Sequence, residues 1–147
     1  MMEKTGKVLE VCSSLNRQET KKAVGSGLLQ KGWGLVGDSH GGTEKEISLL
    51  SEEDVRNLHR ETGGVMAPGC FAENIRTIGM DLISIPVGSL LQIGKAKVMV
   101  MQIGKDLALP HTYSYKGHSL LPTKGVFCKV VESGEVKTGD IIKPINC

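Results

Sequence analysis

The feature that most constrains the fold of this chain is its regular alternation of short, apolar, strand-like runs with breaks that contain glycine. Such runs recur about every ten residues, which is the spacing typical of all-β domains. Nineteen of the 147 residues are glycine, a residue that ends strands and forms tight turns. We therefore expect a mainly β fold, a closed or partly closed β-barrel with one or two short helices.

Two strand pairs are indicated by local pattern. Leu90–Ile103 contains two apolar runs that break at Gly94-Lys95, which is typical of a hairpin. Val126–Val131 and Val136–Ile145 are separated by a turn at Ser133-Gly134 and predict a second pair.

One helix is well defined by its ends. Ser51 is a favourable N-cap, and Asp54 three residues later gives a pattern similar to a capping box. Gly63-Gly64 predicts the end of this helix. His59 lies beside the short apolar stripe of the helix, so we expect it on the helix surface or partly packed.

The stretch from Gly34 to Gly42 places Asp38 and His40 two residues apart within a frame of four glycines. Because glycine permits positive φ and close backbone approach, such a loop can present both side chains and backbone N–H groups to a small polar or anionic ligand. The same composition is also ordinary turn chemistry between two strands. The sequence leaves both interpretations open.

Composition excludes several function classes. The net charge is +2, from 18 basic and 16 acidic residues, and this gives no electrostatic footprint for nucleic acid or for a membrane surface. Only 3% of the residues are aromatic, too few to form a platform that stacks single-stranded bases. No apolar leader or membrane span is apparent. We expect a single domain over residues 1–147, located in the cytoplasm.

The cysteines show no Cys-x-x-Cys pairing, so free thiols are expected rather than a zinc or redox pair. Cys70 lies in a Pro-Gly loop beside Glu73-Asn74. A reactive role for Cys70 would require a lowered pKa. Glu73 and Asn74 have a structural interpretation too, in which the carboxylate accepts backbone N–H bonds that hold the loop.

A second candidate region runs from Ile103 to Ser119 and carries His111 and His118, with both tyrosines of the chain between them. If this segment folds back over the barrel mouth, it brings imidazole and phenol groups to one pocket. A solvated surface loop is the alternative.

Five further motifs follow the glycine loop in a characteristic order and spacing. They are Glu46–Leu50, Pro68–Ile75, Gly79–Leu82, Pro86–Ser89 and Ile93–Ala96. Together with Gly37-Asp38-Ser39-His40, this series resembles the MOSC family, the domain named after the C-terminal part of molybdenum-cofactor sulfurases. The resemblance extends from about Gly6 to about Pro144.

The resemblance implies a MOSC-type barrel that binds molybdenum cofactor (molybdopterin) or a related oxyanion and takes part in its sulfuration, assembly or use. As an enzyme it would be a sulfur transferase or a cofactor-dependent reductase of N-hydroxylated compounds. Molybdoenzymes and cofactor-biosynthesis proteins are the implied partners, and pyridoxal phosphate binding is a further property associated with the family.

The glycine loop and the resemblance together give a predicted site. The predicted catalytic residues are His40, Asp38 and His111, with Asp38 orienting the His40 ring. His111 and His118 are the predicted metal ligands. The predicted cofactor-binding residues are Gly37, Ser39, Gly41, Gly42, Glu73, Asn74 and Lys105.

The chain departs from the family pattern at one position. In close relatives a cysteine follows the strand that here ends at Gln102–Lys105, whereas this chain has Leu107 or Ala108 near that place. A thiolate is a soft molybdenum ligand and a sulfur nucleophile, and leucine is neither. Persulfide transfer through that cysteine is therefore not expected. The alternative function is a non-catalytic carrier, or an interaction barrel that has lost this chemistry.

Overall fold

The computed structural model of the protein describes residues 5–16, 20–39, 41–42, 46–63, 66–104 and 120–145. The strands in these ranges are β1 Gly6–Ser13, β2 Lys22–Ala23, β3 Ser26–Gln30, β4 Gly34–Leu35, β5 Ile47–Ser51, β6 Ile75–Ile78, β7 Leu90–Ile93, β8 Ala96–Ile103, β9 Val126–Glu132, β10 Gly134–Lys137 and β11 Ile141–Ile145. The helices are α1 Glu52–Thr62 and the one-turn α2 Leu121–Lys124, with a 3-10 turn at Leu82–Ser84.

Seven strands form a closed barrel in the order β11, β7, β8, β9, β5, β6, β1. A pairing between β1 and β11, with Gly6 opposite Ile142, closes the ring. Neighbouring strands are antiparallel except for β5 and β6, which run parallel. The expected mainly β barrel is confirmed.

The barrel is filled by apolar side chains that alternate along each strand. On β8, Ala96, Val98 and Val100 are fully buried, whereas Lys97 and Met99 between them are partly exposed. β7 and β8 pair across the Gly94-Lys95 turn, with Ile93 opposite Ala96. The predicted hairpin is thus confirmed.

The second predicted strand pair is wrong. Strand β9 pairs with β5 and β8, while β10 pairs with β3 and β11 pairs with β7 and β1. Gly134 passes so close to the backbone of Lys95 that any side chain there would collide with it. The chain therefore leaves the barrel wall across the β7–β8 turn, and β10 joins a separate three-stranded sheet with β3 and β4.

Helix α1 begins and ends where the sequence predicts. The Ser51 Oγ accepts the Asp54 N–H at 3.1 Å, and the Ser51 hydroxyl donates to Asp54 Oδ2 at 2.8 Å. Gly63 ends the helix in the left-handed conformation at φ 74°. His59 is exposed, as expected for the helix surface. No helix in the described ranges combines the length and the apolar character that crossing a lipid bilayer requires.

Candidate functional site

The glycine loop follows β4 and lies against the chain that leaves β1. The Ser39 N–H donates to the carbonyl oxygen of Ser14 at 2.8 Å, and the Ser14 N–H donates to Asp38 Oδ1 at 3.1 Å. Gly37 and Gly42 have φ values of 88° and 76°, a left-handed region that side chains other than glycine rarely occupy. Glycine at these two positions therefore allows the loop to reach β1.

A buried ion pair lies beneath this loop. The Nζ of Lys21 is 2.7 Å from Asp38 Oδ1, and the two residues are only 1% and 7% exposed. The same ammonium group lies 3.2 Å from Ser14 Oγ and 3.5 Å from Ser39 Oγ. Because the two charges offset each other inside the protein, Asp38 serves here to anchor the loop to Lys21. Its predicted catalytic role stays a prediction.

The expectation that the loop offers free backbone N–H groups is wrong for most of its residues. The N–H groups of Asp38, Ser39, Gly41 and Gly42 donate to the carbonyl oxygens of Leu35, Ser14, Asp38 and Trp33, respectively. These bonds form because the loop folds back on itself and on the end of β1. A ligand at this loop would therefore contact side chains rather than a cradle of these four amides.

Trp33 is the side chain that most changes the surface of the loop. It is the only tryptophan in the sequence and is 43% exposed. A Cβ at Gly41 would collide with the indole ring, and a Cβ at Gly42 would lie 2.9 Å from Cζ3. The ring thus packs on these two glycines. A lone tryptophan between Gly32 and Gly34 was a sequence signal that motif reasoning missed.

Glu73 and Asn74 are directed into the protein. Glu73 accepts the N–H groups of Gly69 and Phe71, both at 3.1 Å. Asn74 Oδ1 accepts the Ser48 N–H at 3.0 Å, and its Nδ2 donates to the Cys12 carbonyl oxygen. Both side chains are at most 1% exposed. This geometry favours the structural interpretation that the sequence left open, while cofactor contact by these residues stays a prediction.

Arg76 organises the loop that precedes Glu73. Its guanidinium group donates to Glu73 at 2.5 Å, to Glu52 at 2.7 Å and to the Ala67 carbonyl oxygen at 3.1 Å. Burial acts to lower the pKa of Arg76, but the carboxylates of Glu73 and Glu52 outweigh that effect and raise it above its ordinary value. Arg76 thus remains charged and links helix α1 to the barrel.

The glycine loop and the Glu73 loop are connected through Lys21. The Lys21 N–H donates to the Gly69 carbonyl oxygen at 2.9 Å, and Gly69 in turn donates to Glu73. Gly69 has a φ of 90°, and a side chain there would collide with the Lys21 carbonyl group. Lys21 therefore joins Asp38 and Glu73 indirectly. No local sequence pattern marks Lys21 as a buried residue.

Burial favours the protonated thiol form of the three described cysteines at neutral pH. Burial, followed by the nearby Glu73 carboxylate, raises the pKa of Cys70 to about 11, and the same two effects raise that of Cys12 to about 12. Burial alone raises the pKa of Cys128. Cys12, Cys70 and Cys128, the three described cysteines, are thiols outside any disulfide bond, as predicted. Cys70 therefore lacks the lowered pKa that a nucleophilic role requires.

Four predicted site residues, His40, Lys105, His111 and His118, lie outside the described residues. Their assigned roles stay predictions, as does the sharing of one pocket by His40 and His111. Within the part of the chain that the structure describes, no three His, Cys, Asp or Glu side chains are grouped so that they could hold a metal ion.

The family model described as MOSC domain matches residues 36–143. The solved YuaD protein from Bacillus subtilis is 21% identical to this chain, with 94% of each chain covered and a TM-score of 0.75. YiiM from Geobacillus stearothermophilus is 16% identical, covering 96% of this chain and 75% of its own, with a TM-score of 0.72. YiiM from Escherichia coli is 19% identical, covering 97% of this chain and 70% of its own, with a TM-score of 0.69. A comparison with curated proteins finds no significant match.

Proposed function

Because this chain belongs to the MOSC domain family, we propose that it binds a molybdopterin-type cofactor, or a related oxyanion such as molybdate, at the glycine loop. The observation that carries this proposal is that one loop holds Ser39, whose Oγ lies 3.5 Å from the Nζ of the buried Lys21–Asp38 pair, and the two glycines, Gly41 and Gly42, on which the Trp33 ring packs. Pyridoxal phosphate binding rests on the family resemblance alone.

Two side chains of the loop region fit such a ligand. The half-buried Ser39 hydroxyl is a hydrogen-bonding group that suits an oxyanion. Trp33 offers a partly exposed aromatic ring, which suits a flat heterocycle such as a pterin. The buried Lys21–Asp38 pair fixes the position of Ser39, since a paired buried charge costs several kcal/mol to separate. His40 and Lys105 supply the remaining contacts in this proposal.

When bound, a molybdenum cofactor supplies two-electron redox chemistry at the metal. The residues of this chain would bind and orient the cofactor and exclude water from part of it. Glu73 and Asn74 contribute by holding the neighbouring loop, because their polar atoms bond to the protein itself. The proposed partners are molybdoenzymes or cofactor-biosynthesis proteins that receive or supply the cofactor.

Carriage of the cofactor is favoured over sulfur transfer. Sulfur transfer through a protein persulfide needs a thiolate nucleophile. Burial raises the pKa of Cys70 to about 11, and leucine or alanine stands where close relatives place a cysteine. We therefore propose a carrier that holds and delivers the cofactor, with cofactor-dependent reduction as the second candidate function.

Purification without oxygen, from a host that makes the cofactor, tests this proposal. We expect stoichiometric molybdenum or tungsten by elemental analysis, together with the fluorescence of oxidised pterin. If folded protein carries neither and does not bind added molybdate, the proposal fails and an interaction barrel remains. Folding is verified by circular dichroism in each case.

Matched variants identify the binding surface. Ser39→Ala should lower the bound pterin and metal several-fold at an unchanged melting temperature. Ser26→Ala, an exposed serine on β3, is the control and should bind like the parent protein. His40→Ala should weaken binding, and the double change of His111 and His118 to alanine should remove bound metal. Equal cofactor content in the Ser39 variant and the control would exclude Ser39 from the site.

A further inference from the structure

A cleft lies near the β7–β8 turn and has a volume of about 680 Å³. Lysines from three different elements border it, namely Lys95, Lys137 and Lys143. Glu135 and Asp140 are the acidic residues of its lining, and Ile141 provides an apolar wall.

This cleft is separate from the glycine loop. Thr5, which borders the cleft, immediately precedes β1, whereas Ser14, which contacts the glycine loop, immediately follows it. Nine residue steps of extended chain correspond to roughly 30 Å. A ligand of ordinary size therefore cannot occupy both places.

The positive charges of the three lysines in the cleft are not offset by ion pairs within the described part of the chain. None of them forms an ion pair with a described residue, in contrast to Lys97, whose Nζ lies 3.2 Å from Glu132. Of the two carboxylates, Asp140 is engaged by the protein, because its Oδ2 accepts the Lys137 N–H at 2.8 Å. The lining thus carries three ammonium groups and two carboxylates, a net charge of +1, and the Asp140 carboxylate is held in place by the backbone amide of Lys137.

An exposed apolar side chain adjoins these charges. Ile141 is 54% exposed and borders the cleft. It lies two residues before Lys143 on β11, and Ile142 between them is fully buried. Alternate residues of a strand share a face, so Ile141 and Lys143 project from the same side of the sheet.

We propose that this cleft binds a small organic phosphate, a function beyond the cofactor binding assigned to the glycine loop. The phosphate group lies among the ammonium groups, which act on it as point charges. The uncharged part of the ligand packs against Ile141. A volume of about 680 Å³ is within the range of small-molecule sites, and it leaves room beyond a single phosphate group.

NMR titration tests this proposal. The amide chemical shifts of the protein are followed as phenyl phosphate or, separately, inorganic phosphate is added at constant ionic strength. Amide signals of the cleft, including Gly94 and Gly139, should shift with both probes. Phenyl phosphate should bind roughly threefold to tenfold more tightly, since its ring is partly removed from water. Shifts confined to the glycine loop with both probes would overturn the proposal.

Matched variants separate a specific site from general attraction to positive charge. The double variant Lys137→Gln/Lys143→Gln should weaken binding of both probes at least about fivefold. The control Lys22→Gln/Lys31→Gln also removes two exposed lysines and should change binding less than about twofold. Equal losses in both double variants would mean that net charge alone attracts phosphate, and the cleft would not be a site.

Ile141→Thr tests the apolar wall. Threonine retains the branched Cβ that strands favour, so the barrel should fold normally. This variant should lose the preference for phenyl phosphate over inorganic phosphate while it keeps the affinity for inorganic phosphate. A preference unchanged from the parent protein would contradict the assigned orientation of the ligand.

Discussion

The ammonium group of Lys21 and the carboxylate of Asp38 form an ion pair of 2.7 Å that solvent does not reach. Lys21 precedes β2, whereas Asp38 belongs to the loop after β4. Their contact joins two segments that are 17 residues apart in the chain. It also brings the Ser39 hydroxyl close to a charged centre within the fold.

Separating this pair should be costly. Lys21→Met or Asp38→Asn alone leaves one buried charge without its partner and should reduce the free energy of unfolding by about 3–5 kcal/mol. The double variant removes both charges and should lose clearly less than the sum of the two single changes. Urea unfolding, monitored by circular dichroism, gives the free energy of unfolding of the parent protein, the two single variants and the double variant. Additive losses would mean that the two groups act independently.

Arg76 and Arg56 offer a matched comparison because both donate to Glu52. Arg76→Met leaves the buried Glu73 carboxylate without its ion-pair partner and should lower the free energy of unfolding by about 3–5 kcal/mol. Arg56 has a side chain that is 56% exposed, so Arg56→Met should cost less than about 0.5 kcal/mol. Chemical unfolding of both variants provides the measurement. A similar loss in the two proteins would argue against Arg76 as the residue that holds this region together.

Gly41→Ala should move the indole of Trp33. The added methyl group would occupy the position of the ring, and a ring that is already 43% exposed can turn outward into solvent. We expect a red shift of tryptophan emission with only a small loss of stability. Trp33 is the sole tryptophan, so the signal is unambiguous.

Gly37→Ala is the control for this change. Nothing lies within 4 Å of the added Cβ, but φ is +88°, so the variant should lose about 1 kcal/mol of stability through backbone strain. Its emission maximum should match that of the parent protein. An emission shift in the Gly37 variant, or none in the Gly41 variant, would contradict the packing of Trp33 on Gly41.

Cys70 should make stability depend on pH above neutrality. Its folded-state pKa of about 11 lies above the ordinary value of 9.0, so the unfolded chain loses this proton first. The corresponding stabilisation is fully present below about pH 9 and is lost as the pH rises towards about 11. We expect the difference in unfolding free energy between the parent protein and Cys70→Ala to be constant below that window and to shrink within it. A constant difference at every pH would show that burial leaves this thiol unperturbed.

The sequence by itself determined the features that depend on neighbours along the chain. The alternation of buried and exposed residues on β8 and the glycine turn at Gly94 sufficed to predict the hairpin of β7 and β8. The N-cap at Ser51 and the glycine at Gly63 sufficed to bound α1. The motif series also identified the family. Periodicity, capping and turn chemistry act over a few residues, so the sequence displays them directly.

Only the tertiary structure decided what depends on distant partners. The turn after β9 is visible in the sequence, but the pairing of β10 with β3 joins strands more than a hundred residues apart, such as Val136 with Gly27. Likewise, Lys21 is an ordinary lysine in the sequence and becomes a buried ion-pair partner because Asp38 meets it in the fold. The inward orientation of Glu73 follows from Arg76 and the loop amides around it. These outcomes depend on which surfaces are buried together, and no local pattern encodes that choice.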